Sequence, residues 1–389
     1  MPPPRRVAVV GVGWYGFRPA TPEVSFREMM FEAAARAYED AGVNPRTDVD
    51  AFISCQEDFW EGIAIADEFA PEPIGGVLRP TLTVAGDGLQ GLAQAYMLVK
   101  SGYFDVVAVE AHAKPSDIAT VQEIYELALD PVYVRPLGVR NPLFLAALDA
   151  RAYMETYGVA REHLALVVSK NKRNGLSNPR ASFAARVEPE DVLKAPYVVE
   201  PLTRLDIASF VDAAVVFVVA GEEVAKRLTD RPVWIEGVGW STEAGTGSLQ
   251  WHAWGRMPSM RDAADMAYRM AGVSSPANAF DFVEVEDRFS YVELLSIEEA
   301  RLAPLGSAAS MLEAGDLDRG GYLPVNPSGG SLAFGVPLEA TGLARALEAV
   351  LQLRGEAGPN QLSGVKRALV LSWRGPPTYT SIALVLSSE

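Results

Sequence analysis

AAARAYEDAGV at residues 33–43 recurs as AADMAYRMAGV at residues 263–273. Seven positions agree at one constant offset, Ala33, Ala34, Ala37, Tyr38, Ala41, Gly42 and Val43 matching their counterparts from Ala263 to Val273. The alanines recur at helical spacing and the glycine suits a left-handed C-cap, so each copy predicts a helix with one face of small residues. Ahead of each copy stands a strand ending in the same four residues, VAVVGVGW (7–14) and VWIEGVGW (233–240). Behind each comes a short apolar strand, DAFISC (50–55) and DFVEVE (281–286). A further helix then follows, over 89–100 in the first half and about 291–302 in the second. This order, present twice, predicts a duplicated α/β protein with two mostly parallel sheets, covered by helices and related by a pseudo-twofold axis. The halves are expected to divide at the polar segment KRLTDRP, giving units 1–228 and 229–389, with a loop insertion at about 113–185.

Composition sets the outer limits. The 389 residues are 49% hydrophobic and 22% charged, which describes a globular chain. A net charge of −16 argues against nucleic acid and anionic membrane surfaces as partners. One cysteine, Cys55, excludes an internal disulfide framework and a Cys-rich metal site. The apolar run in MPPPRRVAVVGVGW is too short for a signal peptide, and Ile207–Gly221 is too short to span a bilayer and contains Asp212. The expectation is a soluble cytoplasmic protein. His112, His163 and His252 form no pair with metal-ligand spacing, so no metal and no bound cofactor are expected. Gly11, Gly13 and Gly16 fit GxGxxG after a strand, but Pro19 and Pro22 precede any helical pattern and the second copy lacks the third glycine. A dinucleotide site is not expected.

Residues 83–96, TVAGDGLQGLAQAY, read as a strand end, a tight glycine turn and a buried helix. Such an elbow presents a Ser or Cys nucleophile in several enzyme families, at a helix N-terminus that stabilises anions. Here the turn carries Ala85, Gly86 and Asp87, and no nucleophile.

Segments in order along nearly the whole chain resemble the thiolase superfamily, in particular its sterol-carrier-protein-type and archaeal branches. VAVVGVG and FREMMFEAAARAYEDAGV (26–43) resemble the opening of those proteins, and the elbow with GLAQAYMLVKSGYFDVVAVEA (91–111) resembles their nucleophile helix and returning strand. VVSKNKRNGLSNPRASF (167–183) is similar to their KNxxNxxxNP segment, and PLTRLDIASFVDAAVVFVVA (201–220) to their PLTxLD strand. DFVEVEDRFSYVELLSIEE (281–299) resembles the VHDAFT region, and YLPVNPSGGSLAFGVPLEATGLA (322–344) the NxSGGxxxxGHPxGATG region. The resemblance implies the duplicated five-layered αβαβα fold, homodimers built through the elbow half, and a coenzyme A thioester as substrate. The family's catalytic positions are changed: Ala85 stands at the nucleophile, Glu286 at the VHD histidine, Val336 at the GHP histidine, and Leu371–Gly375 at the C-terminal catalytic loop. Neither alanine nor valine can attack or activate a thioester, so chemistry through an acyl-enzyme is not expected.

The polar candidates each carry two readings. Alternation puts Glu284 and Glu286 on one face; Glu286 is a general base if burial raises its pKa, or a cap on the next helix. Asp287 supports it or caps a helix. Tyr291, in Phe289-Ser290-Tyr291, resembles the FTY of Cys-less thiolase-like aldolases of steroid side-chain degradation, and otherwise packs in the core. Asn326, Gly329 and Gly330 of NPSGG offer backbone N–H groups to a thioester oxygen, or form a tight turn. Asp87 caps the elbow helix or exchanges protons; Ala85, Val336 and Trp373, with Arg374 and Tyr379, line the same cavity. Cys55, alone on an apolar strand, reads as core. Two functions stand beside each other. One is a carbon–carbon lyase or aldolase acting on acyl-CoA without a covalent intermediate, which resemblance pairs with a small OB-fold (DUF35-type) partner. The other is a non-catalytic subunit bound to a second thiolase-like chain.

Overall fold

The computed structural model describes residues 5–57, 66–120, 141–243, 252–376 and 378–389, with isolated positions between 124 and 138. The first half runs β1 (Val7–Arg18), α1 (Phe26–Ala41), β2 (Ala51–Cys55), β3 (Thr81–Val84), α2 (Gly88–Lys100) and β4 (Val106–Ala113). The expected insertion follows, largely outside the described residues over 121–140 and then supplying α3 (Leu143–Tyr157) and α4 (Arg161–Asn174). Short α5 (Pro189–Lys194) and the ribbon β5 (Tyr197–Val199) and β6 (Leu202–Thr203) lead to β7 (Asp212–Gly221) and α6 (Glu222–Leu228). The second half runs β8 (Val233–Thr242), α7 (Pro258–Met270), β9 (Phe282–Glu284), α8 (Ser290–Glu299), α9 (Ala308–Glu313), α10 (Gly330–Phe334), α11 (Thr341–Arg354), β10 (Arg367–Trp373) and β11 (Thr380–Ser387).

The repeated sequence is a repeated contact. β1 runs unbroken, with register shifts beside Gly11 and Gly16, through all three glycines of GVGWYG, so no phosphate-binding turn forms there. A Cβ at Gly11 or Gly13 would overlap the carbonyl oxygen of Ala37 or Ala33, and one at Gly237 or Gly239 that of Ala267 or Ala263. Glycine on the strand and alanine on the helix let α1 and α7 lie directly on β1 and β8. Ser25 opens α1 with a capping box and Gly42 closes it at φ 66°.

The strands join in the order β3-β2-β4-β7-β1-β8-β11-β10-β9. Within the first five only β7 runs against the rest, and within the last four only β11. The two expected half-sheets share an edge through just two residue pairs, Ala8 with Trp234 and Val9 with Val233. α1 covers the outer face of the first half-sheet, α7 and α8 that of the second. α2 and α11 pack together between them in one apolar core, completing five layers. One expectation is corrected here. The helix expected at about 291–302 is α8, but it packs outside against α4 and α7, and the counterpart of α2 is α11. The segment between β9 and α11 holds three further helices, and the counterpart of β3 has shrunk to a single parallel bridge, Val283 with Val325.

Candidate functional site

α4 presents its amide-rich face inward, and the first consequence is a loop. Lys170 is buried and donates to Val325 O at 2.9 Å and Asn171 Oδ1 at 2.6 Å, with Glu293 at 3.0 Å. Asn171 donates to Asp287 at 2.9 Å and Glu293 at 2.6 Å; Asn174 donates to Asn326 O at 3.1 Å; Asn178 donates to Ser328 O at 3.0 Å. The KNKRN…NP segment is therefore the cradle of the NPSGG loop. Asn326 sits at φ 47°, gripped through Glu293 at 2.7 Å and Val285 N at 2.8 Å. Gly329 and Gly330 adopt φ 102° and 57°, which only glycine does cheaply. The expectation that their N–H groups face a thioester oxygen is corrected by geometry: Gly329 N donates to Asn326 O at 2.9 Å and Gly330 N to Ser328 Oγ at 3.3 Å. A Cβ on Gly330 would run into the Asp287 carboxylate, so this backbone is pressed against protein.

Asp287 does not cap α8, whose N-cap is Phe289. It receives Ser331 N at 2.6 Å and Leu332 N at 3.1 Å from the first turn of α10, with Asn171 at 2.9 Å and Arg345 at 3.0 Å. Burial raises its pKa to about 6. Glu286, just past β9, is also fully buried. Arg345 grips it bidentately at 2.9 and 3.1 Å, and Arg288 N at 2.9 Å and Trp373 N at 3.3 Å complete four donors. A carboxylate has about four acceptor positions. All are filled, so the general-base expectation for Glu286 is corrected to that of an anchored ion pair. Arg345 itself was not foreseen. It is completely buried on α11 and also reaches Val285 O at 3.0 Å and Ser331 Oγ at 2.6 Å. The available signal was a lone arginine in the apolar run TGLARALEAVL, opposite the acidic VEVED strand. Glu284 bonds Ser328 Oγ at 2.7 Å and Ser328 N at 3.2 Å, and burial raises its pKa to about 8.

Asp87 ties the two central helices together. It accepts from Leu89 N at 2.8 Å and, across the halves, from Gly342 N at 3.0 Å. Burial raises its pKa to about 6, and these two amides oppose the rise. The N-terminal ends of α2 and α11 thus converge on an internal carboxylate, which fills the anion position expected for substrate. Cys55 is fully buried beneath α2, where a Cβ on Gly91 would overlap its sulfur, and burial pushes its thiol pKa well up. It is core.

What faces outward is different. Ala85 is exposed at the elbow tip, and the Arg374 guanidinium lies 3.4 Å from its carbonyl oxygen, paired with Glu57 and 3.8 Å from Glu339. Burial lowers the Arg374 pKa to about 10. Arg288 donates to Arg374 O at 2.9 Å and also lines a pocket of about 230 Å³, with Arg204, Leu143, Phe210, Phe289 and Pro376. Val336 fixes one wall: its N–H donates to Ser209 O at 2.8 Å and its carbonyl accepts from Val211 N at 3.2 Å. Tyr291 is fully buried, stacked at 6.1 Å on Phe289, and its hydroxyl has no partner among the described residues. Trp373 is buried with its indole N–H likewise unpartnered. The site thus separates into a saturated ionic network inside and an arginine-lined pocket at the surface.

Residues 246–388 match the family described as thiolase C-terminal domain-like. The acetyl-CoA acetyltransferase of Methanothermobacter thermautotrophicus is 35% identical over 373 residues, covering 93% of this chain and 94% of that protein. The 17-hydroxy-3-oxo-4-pregnene-20-carboxyl-CoA lyase of Mycobacterium tuberculosis is 29% identical over 387 residues, covering 96% and 97%. Among solved structures, the Ltp2-ChsH2(DUF35) aldolase superposes with a TM-score of 0.83 at 25% identity, covering 98% of each chain.

Proposed function

This chain belongs to the thiolase superfamily, and from that membership we propose that it cleaves a carbon–carbon bond in a β-hydroxyacyl-CoA by a retro-aldol reaction, without a covalent acyl-enzyme. The elbow tip carries the reading. Ala85 occupies the nucleophile position, an arginine instead of a thiol lies against it, and the chain's one sulfhydryl is sealed beneath α2. In the reaction the β-hydroxyl loses its proton, the Cα–Cβ bond breaks, and its electrons enter the thioester carbonyl as an enolate. Protonation at Cα then releases a shortened acyl-CoA beside an aldehyde or ketone. Arg374 stabilises the enolate oxygen from a site largely shielded from water. Arg204 and Arg288 at the pocket receive the phosphates of coenzyme A. The Tyr291 hydroxyl, kept neutral by burial, donates to the reacting oxygen. A DUF35-type partner is part of this reading, supported by the aldolase whose fold this chain shares.

The test is release of carbonyl product and acyl-CoA from β-hydroxyacyl-CoA by the chain purified with such a partner. Turnover is expected to fall about 100-fold or more in Tyr291→Phe and to stay unchanged in Cys55→Ala. Loss of turnover in Cys55→Ala would sink the non-covalent reading. The competing reading, a non-catalytic subunit, draws on the four donors that fill each of Glu286 and Asp287 and on the two amides held by Asp87. It prevails if no coenzyme A thioester binds in calorimetry, with or without partner.

A further inference from the structure

A second group of polar side chains is not used by the ionic network. His252 Nε2 is 3.1 Å from Asp149 Oδ1 on α3, and both side chains are buried. With Nε2–H donating to this carboxylate, Nδ1 is left as the acceptor nitrogen. Nδ1 has no hydrogen-bond partner among the described residues; Glu243, the nearest carboxylate, stands 3.9 Å away with its other oxygen held by Ser259 N and Oγ at 3.0 and 2.6 Å. The His252 ring lies 4.4 Å from the Tyr379 ring, which lies 6.0 Å from Trp373. Tyr379 is buried and held at φ 48°, a backbone conformation that costs a tyrosine about 1–3 kcal/mol and persists only where the surroundings enforce it. Its hydroxyl, that of Tyr291 and the Trp373 indole N–H are all buried and unpartnered among the described residues. Three donors and one acceptor nitrogen left open close together each cost about 1–3 kcal/mol unless something bonds them.

The group is continuous with the pocket along two chain segments. Phe289 lines the pocket and stacks on Tyr291, while Pro376 lines it within the loop that joins Trp373 to Tyr379. Phe289 and Pro376 are therefore the pocket residues nearest these groups along the chain.

We propose that His252, Tyr291, Trp373 and Tyr379 form a subsite for the β-oxygen of a 3-hydroxyacyl or 3-oxoacyl group, with Asp149 as the residue that positions His252. This assignment rests on the proposed retro-aldol reading and names the base that reading requires. The β-hydroxyl proton passes to His252 Nδ1 as the Cα–Cβ electrons move into the thioester enolate. The imidazolium, stabilised by Asp149, then gives that proton back at Cα. For a 3-oxoacyl group no proton moves, and the hydroxyls and indole donate to the ketone.

Calorimetry with 3-hydroxybutanoyl-CoA, 3-oxobutanoyl-CoA and butanoyl-CoA on the wild-type chain with its partner tests the subsite without relying on a variant's folding. The oxygenated ligands are expected to bind at least 100-fold more tightly, since a site built to bond an oxygen rejects the analogue lacking it. Tyr379→Phe should shrink that preference about tenfold while leaving butanoyl-CoA binding unchanged. His252→Asn should lower kcat with little change in KM, and Asp149→Asn should lower kcat less and move the acid limb of the kcat pH profile. Equal affinity for all three thioesters overturns the subsite and leaves the thioester reading standing. Absence of binding by all three overturns both.

Discussion

The two central helices sit on opposite kinds of floor. α2 rests on Cys55, Val109 and Ile53, with Gly91 cut back so that the helix touches the sulfur. α11 rests on the acidic end of β9, with Arg345 reaching down to Glu286 and Asp287. Helix-on-strand contacts on the outer faces are nearly identical in the two halves, so duplication has preserved packing while letting charge diverge. An apolar floor tolerates volume changes within limits; an ionic floor tolerates no missing partner. Strain and polarity have therefore collected in the second half, around the NPSGG loop and Tyr379.

The sharpest way to break this contrast is Arg345→Met. It removes one charge and leaves two buried carboxylates without their cation, so urea unfolding should show a loss of about 3–5 kcal/mol. A loss below about 1 kcal/mol would mean that the network holds nothing. Acidity probes the same floor more gently. The folded pKa of Glu284, about 8, lies above its ordinary value of 4.5, so its contribution to stability is full below pH 4.5 and is lost as pH rises through 8. Asp87 and Asp287 act in the same direction but finish near pH 6. Between pH 6.5 and 9 stability should fall by about 1–3 kcal/mol, and Glu284→Gln should flatten that slope. A wild-type profile flat over this range would remove Glu284 from the account. The smallest effect belongs to the apolar floor: Gly91→Ala should cost about 1–2 kcal/mol by overlap with Cys55. Adding Cys55→Ala should restore that loss, because alanine also favours the helix; a double mutant no more stable than Gly91→Ala would refute the contact.

The duplicated layout was readable because small residues at helical spacing beside paired glycines have one economical packing, and the structure places Ala33, Ala37, Ala263 and Ala267 in just that contact. The symmetry mate of α2 was misassigned, since the first helix after β9 is an outer one and sequence order does not report layer. Glu286, Asp287 and the NPSGG loop were located in the chain, yet their bonding was not foreseeable. It depends on Arg345, some 60 residues away, and on the amides of α4. Periodicity shows which face is buried and says nothing about what a buried carboxylate meets there. His252 and Tyr379, in loops, were named in the chain, but no periodicity there reports that their rings meet.

The Asp87–Gly342 hydrogen bond joins residues 255 positions apart, one in each half. Such a contact cannot assist either half while it acquires its own strands, because closing so long a loop repays its entropy only once both ends are already ordered. It forms only where α2 docks on α11. Interactions made after the rate-limiting step leave the speed of folding untouched and lengthen the lifetime of the finished molecule. One aspartate, two residues past the tip of an elbow without a nucleophile, thus ties the two halves to each other.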